Sequence, residues 1–382
     1  EFSGEPGDLK WAVQLAAGFM AGFERRRESR MPMFGDNGAF YGHFHCVASG
    51  LVGMVKLGKL LYSRGRPAEG KKLLQLAGHA YQWMLNGPDN LNRVCSCGYS
   101  PENSGTGLCG GSELCSAADV VELAAALADC AGLDAEFAGW ADYWDDVERF
   151  ARNEIQRSQL PDPELVVRQV MGDQFKPGPE AISVLSRFRG GWIGSRNFPN
   201  NLVQFVRTGG AGSPAGFSPR IEVGGCCLYS GPRGLYACWS SAVGHSNRRS
   251  QIRMAVDYQD EVLTMRPLAD GGLEVRLKQD RSLEVRPPMR VAKETVTATV
   301  DGQTVPFTWS EDRRWAHLAE VRRGGVVRVR WTPARWSSRE VVGPANNGEL
   351  GDAPTGQRVE FELQYRDNDL VGMAPQGKVL PF

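Results

Sequence analysis

The stretch GGSELCSAADVVELAAALADC, residues 110 to 130, decides how the fold is read. Its second half repeats apolar residues at helical spacing, and Ser116 with Asp119 three positions on reads as a helix start. The same spacing recurs in DLKWAVQLAAGFMAGFERR, HCVASGLVGMVKLGKLLYSRG, PAEGKKLLQLAGHAYQWML and WADYWDDVERFARNEIQ, with short loops between. Such a run, extending to about residue 160, predicts α-hairpins stacked as in an α/α toroid.

Beyond it the punctuation changes. Residues 160 to 225 are rich in Pro and Gly and read as loops around a helix or short strands, a further helix is expected over about 231 to 243, and a period of two then takes over. EVLTMRPL, LEVRLKQ, LEVRPP, TVTATV, GVVRVRWT and RVEFELQY alternate as half-buried strands do, and Asp301-Gly302 marks a hairpin turn. The expectation is an α+β multidomain chain, with a helical toroid over 1–245 and an antiparallel β-sandwich over 246–382.

Composition narrows the partners. Lys and Arg number 44 and so do Asp and Glu, so neither nucleic acid nor an anionic membrane is called for. No run of 18 apolar residues occurs, so no membrane-spanning helix is expected. The chain opens on Glu1-Phe2 without a signal-peptide pattern, which reads as a processed, truncated or tagged start; the compartment stays open between cytoplasm and periplasm. Ten Trp, nine Tyr and sixteen Phe supply aromatic faces that suit sugar rings or a core equally. A homodimer is left open.

Nine cysteines are too few for a disulfide scaffold at this length. Four side chains nevertheless form a set that could close around one zinc: Glu113 and Cys115 in the Glu-x-Cys triplet, and the adjacent Cys226 and Cys227. Zinc takes four ligands tetrahedrally, prefers thiolates and accepts a carboxylate oxygen. Glu113 and Cys115 are expected just ahead of the helix, where extended residues i and i+2 point the same way. Gly224-Gly225 before the Cys pair permits a sharp turn. Against this stand two plainer readings: cysteines packed in a core, and a structural zinc knuckle built from Cys95, Cys97, Cys109 and Cys115. Neither a Gly-rich phosphate loop nor a Ser-His-Asp order is present.

Three motifs, in order, make the chain resemble the β-L-arabinofuranosidase family of glycoside hydrolases. They are the Glu-x-Cys triplet with its helix and the later YWDDVERFARNEI (143–155); the double cysteine opening CCLYSGPRGLYACWSSAV; and the strand motifs LEVRPP (283–288), TATVDGQTV (297–305) and WAHLAEVRRGGVVRVRW (315–331). The resemblance implies a retaining exo-glycosidase acting on β-linked L-arabinofuranose or a related sugar, with a zinc-held cysteine nucleophile that forms a thioglycosyl intermediate. It assigns Cys226 as nucleophile, Glu113, Cys115 and Cys227 as the remaining ligands, Glu102 as acid/base, and a sugar contact to His43 or His45. The family's barrel has twelve helices, whereas six or seven fit before residue 245, so a partial or shortened toroid is expected. Two other functions stay open: a catalytically silent carbohydrate-binding or scaffold relative with structural zinc, and a metal-free toroid enzyme using carboxylates such as Asp119 or Asp173.

Overall fold

The computed structural model describes residues 5–21, 34–35, 37–40, 42–86, 93–104, 112–171, 176, 178–196, 204–208, 216–220, 225–342 and 359–376. Eight α-helices come first among them: α1 (Pro6–Ala21), α2 (Phe44–Ser63), α3 (Pro67–Asn86), α4 (Leu114–Ala128), α5 (Tyr143–Phe150), α6 (Pro163–Met171), α7 (Pro179–Ser186) and α8 (Gly225–Ser241). Short α6 and α7 lie in the Pro/Gly-rich stretch and raise the helix count above the six or seven expected. The helix predicted at 231–243 starts six residues earlier. Pro232 sits inside α8, and the chain enters through Gly225 at φ +59°, a conformation glycine adopts without strain.

Helix α4 is the hub, packing against α2, α5 and α8. Ala117, Ala118, Val120, Val121, Leu123 and Ala124 on it are all buried, and their small size lets neighbouring helices approach closely. Gly234 of α8 sits where a Cβ would lie 3.1 Å from Ala118 Cβ and 2.3 Å from Ile155 Cδ1, so a larger residue there would force the two helices apart. By length and composition α2 alone among the described helices could cross a membrane, but 56% of its apolar window is buried, against α3 and α4. No closed barrel forms among the described residues.

Short strand pairs brace the loops. β1 (Gly42–His43) pairs with β2 (Asn103–Ser104), β3 (Ser112–Glu113) with β4 (Ser195–Arg196), and β5 (Gln204–Thr208) with β6 (Gly216–Arg220). After α8 come β7 (Val243–Ser246), β8 (Arg249–Ile252), β9 (Tyr258–Gln259), β10 (Leu263–Pro267), β11 (Leu273–Leu277), β12 (Arg281–Val285), β13 (Thr297–Val300), β14 (Gln303–Thr304), β15 (Thr308–Trp309), β16 (Ala316–Val321), β17 (Val326–Arg330), β18 (Arg335–Val342), β19 (Val359–Arg366) and β20 (Asp369–Ala374). They form sheets ordered β14-β13-β17-β11-β10-β9, β15-β16-β12-β8-β7 and β18-β19-β20. Pairing is antiparallel except between β8 and β12, which run parallel, a departure from the all-antiparallel expectation. Asp301 and Gly302, both at positive φ, make the expected two-residue turn between β13 and β14. Inward residues of the first two sheets, such as Val275, Val327, Leu283 and Leu318, join the helices in one buried apolar cluster.

The aromatic-acidic helix α5 is where helices meet sheets. Asp145 is buried and accepts from Arg286 Nη1 at 2.6 Å and from the Met289 amide at 2.8 Å. Burial pushes its carboxyl up, but the Arg286 charge and these hydrogen bonds outweigh that and hold it below the ordinary value. A depressed carboxylate contributes stability above its unfolded pKa of about 3.9, and that contribution is lost as pH falls through the folded value. Arg286→Leu is therefore expected to lower unfolding free energy by about 3–5 kcal/mol at neutral pH. In denaturant melts the gap from wild type should narrow as pH falls from the unfolded carboxyl value of about 3.9 toward the lower folded value of Asp145.

Candidate metal centre

Three parallel starts converge: His43 precedes α2, Glu113 precedes α4, and Cys226 and Cys227 open α8. Helix N-termini carry partial positive charge that favours carboxylates and thiolates. Glu113 is extended (φ −109°, ψ 126°) and occupies the N-cap position, so α4 begins before Ser116. Cys115 thus lies in the first helical turn, a correction to the expectation that it precedes the helix. Both side chains still reach one point, and Ser116 Oγ of that turn donates to Glu113 Oε2 at 3.4 Å.

Cys115 Sγ lies 3.1 Å from Cys226 Sγ and 3.1 Å from Cys227 Sγ, and Cys226 Sγ lies 3.9 Å from Glu113 Oε1. All four donor atoms fall within 4.8 Å of one another. A tetrahedral zinc with Zn–S bonds near 2.3 Å sets sulfurs about 3.8 Å apart, so the thiols are already gathered at, and slightly inside, the spacing that one ion requires. Glu113, Cys115 and Cys227 are buried whereas Cys226 is exposed. Hydrogen bonding to Cys227 and burial push the Cys115 thiol up; hydrogen bonding to Cys115, then burial, push Cys226 up. Cys115 and Cys226 are thereby held as thiols, and a divalent ion binding the set would displace their protons.

A titration follows from this. Adding zinc to lightly buffered metal-free protein at pH 7 should release about three protons per chain, one per thiol, measured with a pH indicator dye. Release of fewer than one would mean that the sulfurs do not act as ligands.

The histidines flank the cluster. His43 Nε2 lies 3.3 Å from Glu113 Oε2, and its Nδ1 lies 3.3 Å from Cys46 Sγ. His45 Nδ1 bonds Asp119 Oδ2. Glu102 sits in the strand crossing between them: its carbonyl accepts from the Phe44 amide at 2.8 Å, Pro101 before it bridges Ser112, and Asn103 after it pairs with His43. The structure thus places Glu102 within one residue of chain that contacts both flanks of the cluster.

Other expectations are redistributed. Cys95 and Cys97 pack with Phe361, Leu363 and Tyr365 in a buried cluster separate from the one containing Cys115, which removes the knuckle reading for these residues; Cys109 lies outside the described residues. Cys130 and Cys238 are pushed up to about 12 by burial and stay thiols. Asp119, weighed above only as a metal-free catalytic carboxylate, is fully buried and committed to His45 and Arg233; Asp173 lies outside the described residues. Sequence reading missed Arg233 and the Asp119 pairing. The available signal was an Asp on the apolar face of α4, one turn beyond Cys115, where an acid needs a partner.

Comparison with protein-family models and with curated proteins finds no match. Among solved structures, a GH127 beta-arabinofuranosidase is similar at TM-score 0.53 and 14% identity, the alignment covering 96% of this chain and 53% of that one. A structure described as a glycoside hydrolase is similar at TM-score 0.55 and 13% identity, covering 96% of this chain and 58% of that one. The chain spans little more than half the length of these structures. At such identity the likeness establishes a shared fold, a helical part followed by antiparallel-rich sheets, as the sequence motifs led us to expect.

Proposed function

We propose that this chain carries the active site of a zinc-dependent retaining exo-glycosidase acting on β-linked L-arabinofuranose or a related sugar. The observation that carries the reading is the gathered Glu113, Cys115, Cys226 and Cys227 set, in which Cys226 is the exposed sulfur. The fold shared with glycoside hydrolases supports it.

When bound, zinc would supply the positive charge that deprotonates the thiols. Glu113, Cys115 and Cys227 hold the site from its buried side. Cys226 attacks the anomeric carbon from one face while the bond to the leaving oxygen breaks, and Glu102 on the other face gives that oxygen its proton. Glu102, now a carboxylate, takes a proton from water as the water oxygen displaces the Cys226 sulfur, and configuration is retained through two inversions. His43, whose Nε2 lies 3.3 Å from Glu113 Oε2, orients that ligand as neighbours of metal sites commonly do.

The test is turnover of an aryl β-L-arabinofuranoside by zinc-loaded protein, with product configuration followed by NMR. Release of the β-anomer first, lost on chelation and restored by zinc, is the expected result. Stoichiometric zinc with no turnover of furanosides would instead leave a carbohydrate-binding relative with structural metal.

A further inference from the structure

Sequence could not choose between His43 and His45, but their bonding does. Both ring nitrogens of His43 are engaged, one by Glu113 and one by Cys46. His45 bonds Asp119 through Nδ1, while among the described residues no partner meets its Nε2, and its side chain is 26% exposed. Asp119 is the pivot. Its side chain is 0% exposed, Oδ2 faces His45 on α2, and Oδ1 accepts from Arg233 Nη2 of α8 at 2.6 Å. Arg233 also reaches Glu122 Oε1 at 3.0 Å and lies about two helical turns beyond the Cys226-Cys227 pair.

A carboxylate held by a guanidinium is an acceptor only. The proton shared with His45 therefore sits on Nδ1, which in a neutral ring leaves a lone pair facing outward at Nε2. We propose that Asp119 is a positioning residue: it fixes His45 as the hydrogen-bond acceptor for a sugar hydroxyl. Through Arg233 the same carboxylate keeps that acceptor in register with the thiol-bearing end of α8. His43 orients Glu113 instead. The sugar ligand rests on the glycosidase reading above; the tautomer assignment rests on the Asp119 geometry.

The test is Asp119→Asn in zinc-loaded protein, read by long-range nitrogen–proton NMR of labelled histidine. The amide keeps its oxygen toward Arg233 and turns its NH₂ toward His45 Nδ1, which must then accept, so the proton moves to Nε2. Wild type should show the Nδ1–H form and Asp119→Asn the Nε2–H form. KM for the aryl arabinofuranoside should rise about tenfold or more with zinc content unchanged. In a His45→Gln background, Asp119→Asn should add little, since its effect runs through the ring.

An Nε2–H form in wild type, an unchanged tautomer in the variant, or a full Asp119→Asn penalty persisting without His45 would each overturn the assignment. Should Asp119→Asn fail to fold, the wild-type tautomer and the KM of His45→Gln decide. Wild-type protein that neither binds nor hydrolyses the sugar removes the glycosidase reading, and the tautomer arm, read without substrate, still judges Asp119.

Discussion

Cys226→Ser is expected to cut turnover of an aryl β-L-arabinofuranoside by about 10³-fold or more, while far-ultraviolet circular dichroism and thermal midpoint stay close to wild type. The serine hydroxyl is a far weaker nucleophile at neutral pH, and the exposed position of Cys226 means that its replacement disturbs little packing. Cys227→Ser should behave differently. Its sulfur is buried against Cys115, so metal content and activity should fall together. Equal activity in wild type and Cys226→Ser would remove the nucleophile assignment.

Glu102→Gln should divide substrates by leaving group. General acid catalysis contributes about 10²- to 10⁴-fold, and an alkyl arabinofuranoside, whose alkoxide leaves poorly, should slow by that amount. A p-nitrophenyl arabinofuranoside needs little protonation and should slow in the first step by less than about tenfold. Added azide, which attacks the intermediate without needing a base, should restore part of the second step. Uniform slowing of both substrates would transfer the proton to another carboxylate.

The fold was legible where local chemistry and global packing agree. Periodicity located α2 and α3, and alternation located β17, because each buries one face; α4, buried on nearly every side, was legible from its apolar run. Asp301-Gly302 could be read outright, since the turn needs positive φ at both positions. The first turns of α8 are obscured in the sequence by Pro232 and Gly231, residue types that helix interiors disfavour. The parallel β8–β12 pairing carries no local signal; it depends on which strand the chain returns to.

At the site, residue types suggested the ligand set before geometry did. Glu113 and Cys115 belong together by spacing, and Cys226-Cys227 by adjacency; over a hundred residues separate the two pairs, and ligand chemistry joined them as one possible zinc set while the family resemblance supplied their roles. Small residues explain physically how they meet: Ala118 and Gly234 let α4 and α8 close. The division of labour between His43 and His45 was not legible, since it turns on Asp119 and Arg233, whose pairing exists only once α2, α4 and α8 are packed.

X-ray absorption at the zinc edge on the purified protein tests the metal centre most directly. The account predicts one zinc per chain, with three sulfurs at about 2.3 Å and one oxygen at about 2.0–2.2 Å, and loss of one sulfur shell member in Cys115→Ala. A zinc shell of nitrogen and oxygen alone, or a spectrum unchanged by Cys115→Ala, would contradict it.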